Sequence, residues 1–222
     1  NMFNVAIDGP AGAGKSTIAK MVAKKLGFIY VDTGSMYRAM ALACIRAGLT
    51  ADEEEKVCEV CAGLDVSLEY DENGAQQVIL NGENVNAYIR TEEVGNMTSA
   101  IAVYGPVREK LVELQRKLGT KYDVIMDGRD IGTCVLKDAP VKIYLTASSR
   151  TRAERRYKEL TEKGVDCNLD DIEKDIIDRD YRDMNREISP LKQAEDAILV
   201  DSSNMGIDEV VNELVRIIEE AR

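Results

Sequence analysis

No histidine occurs among the 222 residues, and that absence removes more chemistry than any other feature of the sequence. Without an imidazole there is no Ser-His-Asp or Cys-His nucleophile and no His-ligated metal. Long apolar runs are missing as well. No stretch approaches the roughly 18–20 residues that a membrane-spanning helix needs, and no signal-peptide pattern opens the chain. Positive charge is in deficit: a formal net charge of -11 argues against broad binding to nucleic acid or an anionic membrane. An anionic ligand must then be caught by local clusters of Arg and Lys acting against the global field. Internal repeats, low-complexity tracts and disordered linkers are absent too. A cytoplasmic protein with one sizeable core and room for a small inserted subdomain is expected. Asn1, which precedes Met2, is expected to be an expression remnant.

Five cysteines without a secretory context read as reduced thiols. Cys58 and Cys61 form a CxxC, but no second pair follows to complete a zinc site. They read as two helix residues one turn apart, with a metal or redox role as the lesser alternative.

What is present is an alternation of strand and helix signals. Phe3–Asp8 is a short apolar run ending at a Gly-rich turn, the pattern of a buried strand. From Lys15 to Leu26, Ile18, Val22 and Leu26 recur on one helical face, and Gly27 closes the helix. Phe28–Val31 reads as a second strand and Ser35–Arg46 as a second helix, so the chain opens βαβα. The rhythm then breaks. Between Leu64 and Val85 apolar and polar positions alternate around Asn73-Gly74 and Asn81-Gly82, which predicts short antiparallel strands joined by hairpins. Helices are expected over Glu92–Val103 and Pro106–Leu118. Strands at Asp123–Met126, Val141–Thr146 and Ala197–Val200, charged helices near 149–163 and 169–186, and an amphipathic helix from Gly206 onward complete the pattern. The fold class is α/β with five strands for a parallel core.

Gly9-Pro10-Ala11-Gly12-Ala13-Gly14-Lys15-Ser16 matches GxxxxGK[ST] in full, followed by Thr17. It sits between a predicted strand and a predicted helix, the context such a phosphate loop requires. Backbone amides can close around phosphate oxygens, and the helix start points its positive end at the anion. Lys15 is placed for the β- and γ-phosphates and Ser16 for Mg²⁺. Nucleoside-triphosphate binding follows. No NKxD guanine-reading motif is present, which counts against a GTP-binding switch. Asp127, at the end of the third core strand, reads equally as a carboxylate near Mg²⁺ and as a turn residue before Gly128.

Arginines recur where a parallel sheet would bind an acceptor. Arg38 lies one turn into the second helix, Arg108 begins another, and Arg129 with Asp130 follows the third core strand, at its carboxyl end. Arg179, Asp183 and Arg186 share one helix face, either facing a ligand or forming an exposed helix with an internal Arg179–Asp183 pair. Arg150, Arg152, Arg155 and Arg156 are either a solvated charged face or a lid over the nucleotide. An arginine-rich acceptor site with no obvious base favours a phosphate nucleophile, which is already mostly ionised at neutral pH. Asp8, Asp32 and Asp130 remain as possible bases for an alcohol acceptor.

The ordered series IDGPAGAGKST, VDTGSMYRA, IRTEEVGNMTSAIA, PVREKL, MDGRDIGT, APVKIYLTASSRTRAERR, DRDYRDMNREISPLKQAEDA and VDSSNMGIDEVV resembles bacterial cytidylate kinases over essentially the whole chain. That resemblance implies a P-loop NTPase three-layer fold with a five-stranded parallel sheet, a helical lid near 149–168, and a small antiparallel β insert that enlarges the CMP-binding domain. The kinase core would comprise 2–62 and 93–222, and the insert 63–92. It implies ATP-dependent phosphorylation of CMP and dCMP with Mg²⁺, by a monomer without nucleic-acid or membrane partners. Lys15, Arg129, Arg152 and Arg156 would act in transfer, and residues 9–17 would bind ATP. Ser35, Arg38 and Arg129 would hold the CMP phosphate. Ser99, Arg108 and Asp130 would read cytosine, and Arg179, Asp183 and Arg186 would contact the ribose and phosphate. Ser16, with Asp127 through water, would hold the metal. The rivals are a kinase for another small molecule and a nucleotide-dependent switch.

Overall fold

The computed structural model describes residues 2–222; Asn1 lies outside the described residues. In chain order the elements are β1 (Asn4–Asp8), α1 (Lys15–Leu26), β2 (Ile29–Tyr30), α2 (Thr33–Arg46), α3 (Glu54–Ala62), β3 (Val66–Tyr70), β4 (Gln76–Leu80) and β5 (Glu83–Asn84). There follow α4 (Glu92–Ile101), α5 (Gly105–Lys121), β6 (Val124–Gly128), a π-helical turn (Ile131–Val135), β7 (Val141–Thr146), α6 (Ser149–Glu162), α7 (Leu169–Asn185), β8 (Ile198–Asp201) and α8 (Ile207–Ala221). They divide into two compact units, residues 2–30 with 122–222, and residues 31–121.

The first unit is built on a five-stranded sheet in the order β2-β6-β1-β7-β8, with every pairing parallel. Val5, Ala6 and Ile7 of β1 and Val124, Ile125 and Met126 of β6 are fully buried, as continuous apolar runs are when helices cover both faces of a sheet. On one side α1 offers Ile18, Ala19, Val22 and Ala23, and α8 offers Val210, Val211, Leu214, Ile217 and Ile218. These positions recur at three and four residues, so each helix presents one apolar stripe and keeps its charges outside. Here β2 is shorter than the expected 28–31: only Ile29 and Tyr30 pair with β6, while Phe28 turns into the core.

One element carries no signature in the periodicity. After β6 the backbone widens into a π-helical turn, with Val135 N–H donating to the Asp130 carbonyl and Leu136 N–H to that of Ile131. The first two amides of the turn, which have no partner within the turn itself, donate to a buried carboxylate on β1, described below. Such widened turns recur at functional sites.

The second unit holds α2 to α5 and a three-stranded antiparallel sheet in the order β3-β4-β5. Asp32 caps α2 by accepting from Ser35 N, and Thr91 caps α4 by accepting from Val94 N. Leu68 pairs with Val78 and Val66 with Leu80, so the sheet's buried face alternates with an exposed one, as the sequence pattern requires. Asn81 and Gly82 both have positive φ, 49° and 86°, which is the two-residue type I′ connection between β4 and β5. Asn73-Gly74 is different. It lies in a longer loop whose amides at Asn73 and Ala75 both donate to the Asp71 carboxylate. Cys58 and Cys61 sit on α3 as expected, but Cys61 lies against Cys44 of α2, sulfur to sulfur at 3.8 Å.

Leu214 is fully buried at the centre of the α1–α8 packing. Leu214→Ala is expected to destabilise the protein by about 2–5 kcal/mol through lost contact and cavity formation. Urea denaturation checks this, and a change under about 1 kcal/mol would mean the site collapses around the loss.

Candidate active site

β1 delivers the phosphate loop to the carboxyl edge of the sheet at the point where strand order turns outward to β6 on one side and β7 on the other. Gly9 lies so close to β7 that a Cβ there would overlap the Leu145 carbonyl oxygen, so no other residue fits without moving the strand. Gly14 precedes α1 and supplies no side-chain cap, which leaves the first amides of the helix directed into the loop. Lys15 is buried, and its ammonium donates to the Pro10 carbonyl at 2.9 Å. Its pKa is lowered from 10.5 to about 8, first by burial and then by the positive charge of Arg129, against Asp127 and Asp8, which raise it.

Ser16 donates its hydroxyl to Asp127 Oδ2 at 3.0 Å, and Tyr30 donates to Asp127 Oδ1 at 2.7 Å. The end of β6 thus brings Asp127 to the start of α1, and the carboxylate does more than close a turn. Tyr30 had no signal in the sequence, because its position on a two-residue strand resembles any core tyrosine.

Asp8 ends β1 with its side chain buried, and both carboxylate oxygens accept backbone amides: Ile131 N at 2.9 Å and Gly132 N at 2.7 Å. Burial raises its pKa from 3.8 to about 6; the two amides pull it down, and the neighbouring Asp130 pushes it up. This pairing anchors the π-helical turn and, with it, the segment that carries Arg129 and Asp130. Asp130 is itself buried.

The arginines separate by environment. Arg129 Nε donates to Asp183 Oδ2 at 3.0 Å, so Asp183 of α7 pairs with the end of β6 rather than with Arg179 on its own helix. Arg152 is buried; it donates to the carbonyls of Ala147 and Ala11 and to both oxygens of Asp180. Arg155 holds the loop after β8 through the Ser202 carbonyl at 2.6 Å. Arg156 is exposed and pairs with Glu159. Arg186 Nε donates to the Ser189 carbonyl at 2.7 Å. Arg156 and Arg179 border a cavity of about 810 Å³ that also takes in Gly12, Thr17, Met205 and Ile207. Its size suits a drug-sized or nucleotide-sized ligand.

Ser35, Arg38, Ser99 and Arg108 belong to the second unit. Ser35 is buried and donates its hydroxyl to Asp32 Oδ2 at 2.8 Å. Arg38 donates to the Ile89 carbonyl at 3.0 Å and passes over Gly95 of α4. Ser99 is exposed on α4, and Arg108 lies in the first turn of α5. Arg90, which sequence reasoning passed over, donates to Ser35 Oγ at 2.7 Å and lies 3.9 Å from Asp32. It stands in the IRTEEV motif, so a signal for it existed. Asp180 had none, being one acidic residue among many on a charged helix. Among the described residues, no helix is long and apolar enough to cross a membrane.

Because the folded-state pKa of Asp8 lies above its ordinary value, its contribution to stability is complete below pH about 4 and is lost as the pH rises through 6. Relative to Asp8→Asn, the unmodified protein is therefore expected to lose stability between pH 4 and 7, by up to roughly 3 kcal/mol at about 1.4 kcal/mol per pKa unit. Denaturant midpoints across that range test it; a difference that does not change with pH would refute the assignment.

The family model described as cytidylate kinase matches residues 5–220. A cytidylate kinase of Clostridium perfringens is 52% identical over 213 residues, covering 96% of each chain, and one of Clostridium acetobutylicum is 51% identical over 216 residues, covering 97% of each. Among solved structures, an uncharacterized protein from Eubacterium ventriosum shares the fold at a TM-score of 0.51 and 12% identity, over 99% of both chains. With residues 5–220 matched and half of the positions identical to those relatives, the chain belongs to the cytidylate kinase family.

Proposed function

We propose that the protein transfers the γ-phosphoryl group of ATP to the phosphate of CMP and dCMP, by in-line attack of an acceptor phosphate oxygen. The observation that carries this reading is the loop geometry: Gly9 is packed against the Leu145 carbonyl, the first amides of α1 have no side-chain cap, and Lys15 is buried with its ammonium on the Pro10 carbonyl. A fold that holds uncapped amides and an ammonium together in one loop is arranged for a polyanion.

The nature of the acceptor is supported by what the carboxylates already do. Both oxygens of Asp8 accept backbone amides, and both oxygens of Asp32 accept from Ser35. Two of the three candidate bases thus have structural work as anchors of backbone and hydroxyl groups, and a nucleophile that arrives ionised needs none of them. A nucleotide phosphate, with a second pKa near 6, is mostly ionised at neutral pH.

Residues 9–17 wrap the donor phosphates, and Lys15 exchanges its Pro10 contact for phosphate oxygens. Arg129, Arg152 and Arg156 balance the charge of the transferring group. The Ser16 hydroxyl and the Asp127 carboxylate are hard oxygen donors 3.0 Å apart, a set that suits Mg²⁺, held by Ser16 directly and by Asp127 through water. Bound there, the ion would neutralise charge on the donor phosphates. In the second unit we assign Ser35 and Arg38 to the acceptor phosphate and Ser99 and Arg108 to cytosine. In the first, Arg129, Arg179, Asp183 and Arg186 serve the phosphate and ribose, and Asp130 serves the amino group of cytosine. The segment 63–92 enlarges the acceptor-binding part, and α6 with the loop after it, about 149–168, forms the lid. The net charge of -11 supports small-molecule ligands without a nucleic-acid or membrane partner, and we place the protein in the cytoplasm as a monomer.

A coupled ADP-release assay with ATP, Mg²⁺ and CMP, dCMP, UMP, AMP, GMP or shikimate is expected to show strong turnover with CMP and dCMP alone. Lys15→Met should lose at least about a thousandfold in kcat while keeping its fold. Turnover of another acceptor, or a near-normal rate in the variant, would sink the reading.

Lys15 carries a second expectation. With its pKa near 8 in the free protein, it is half deprotonated at pH 8, and bound polyphosphate must restore the proton. ATP binding at pH 8 should therefore take up close to half a proton, and affinity should fall as the pH rises further. Calorimetry in buffers of different ionisation enthalpy measures this uptake; none in the unmodified chain would contradict it.

A further inference from the structure

α7 buries none of its side chains, yet two of its carboxylates, one turn apart, each grip an arginine of the site. Asp183 holds Arg129, and Asp180 holds Arg152. The second grip is the more complete. Arg152 Nη1 donates to Asp180 Oδ1 at 2.9 Å and Nη2 to Oδ2 at 2.6 Å, the parallel fork that matches guanidinium to carboxylate. Two more of the five donors go to backbone: Nε to the Ala147 carbonyl at 2.9 Å, and the second Nη1 hydrogen to the Ala11 carbonyl of the phosphate loop at 3.1 Å. The arginine's stem runs past the same loop, its Cβ 3.7 Å from where a Cβ on Gly12 would stand.

The side chain of Arg152 is 5% exposed and that of Asp180 17%. Burying an ion pair to this degree costs desolvation that its Coulomb attraction seldom exceeds, so stability alone is a poor reason for it. Orientation is a better one. The Ala147 and Ala11 carbonyls each accept one hydrogen bond, from Nε and Nη1, and so restrain the guanidinium at one edge only. The two oxygens of Asp180 fix its plane.

We propose that Asp180 is a positioning residue for phosphoryl transfer, holding the Arg152 guanidinium in one plane against the phosphate loop. This rests on the reading of the protein as an ATP-dependent kinase in which Arg152 balances charge on the transferring group. Asp180 touches neither substrate; it acts through Arg152. Arg152 therefore meets the donor phosphates already oriented and already freed of bulk water, so that little reorganisation remains at the moment of transfer.

The test is steady-state kinetics of the full chain with ATP and CMP for the unmodified protein, Asp180→Asn, Asp180→Glu, Arg152→Lys and the double variant Asp180→Asn/Arg152→Lys. Thermal unfolding midpoints are recorded for each. Asp180→Asn is expected to lower kcat by at least about tenfold with KM for CMP within about twofold. Asp180→Glu, which restores the charge, should recover part of that loss. In the Arg152→Lys background, where no planar fork remains to be oriented, the asparagine should cost less than about threefold more. Losses that multiply independently would overturn the proposal, as would a lowered unfolding midpoint with kcat unchanged. If Asp180→Asn does not hold its fold, Asp180→Ser takes its place in both backgrounds: a kcat loss at constant KM for CMP that shrinks below about threefold beside Arg152→Lys supports the role, and a loss of the same size in both backgrounds overturns it. A chain with no CMP turnover at all would fail the functional reading before any variant is compared, whereas good turnover with independent losses fails the positioning role alone.

Discussion

Asp8 is a carboxylate that burial disfavours, kept in place by two backbone amides from a different strand's end. Much of the first unit's chemistry hangs on that arrangement. The same residue ends β1 and so begins the phosphate loop, while the amides it binds begin the widened turn after β6. One side chain thereby ties the glycine-rich loop to the segment bearing Arg129 and Asp130. Its cost is visible in the raised pKa, and its effect is to fix where the turn after β6 begins, and with it the segment that carries Arg129 and Asp130.

The charge logic follows. An acidic protein that handles polyanions must concentrate its positive charge where the ligand sits and restrain it there. Lys15 is held by a loop carbonyl, Arg129 by Asp183 and Arg152 by Asp180, so the cations do not wait in bulk solvent. Of the three anchors, only that of Arg152 engages both oxygens of a carboxylate. That grip separates Arg152 from Arg156, which remains exposed beside Glu159.

The second unit shows the same economy on a different scaffold. α2 is capped by Asp32, and the capping carboxylate also binds the hydroxyl of Ser35, which in turn receives Arg90. A helix start that is stable for local reasons thus becomes a preformed group of hydroxyl and guanidinium. The antiparallel sheet has an internally consistent register, set by the type I′ turn at Asn81-Gly82 and by the burial of alternate residues.

Local signals in the sequence determined which elements form. The apolar run before GxxxxGKS could only be a buried strand, the stripe on α1 only a helix against a core, and the Asn-Gly pairs only turns. The P-loop was legible for the same reason, because its chemistry is carried by residues adjacent in the chain. Tertiary structure alone decided the partnerships across long separations. No periodicity says that Asp8 binds amides 131 and 132, that Tyr30 reaches Asp127, or that Asp183 prefers Arg129 to the Arg179 one turn away. The anchoring of the π-helical turn was hidden for this reason too: its first two amides are capped by a residue more than 120 positions earlier. Spacing along a chain encodes which neighbours share a face, whereas the choice among charged partners depends on burial and direction, and these exist only once the sheet is assembled.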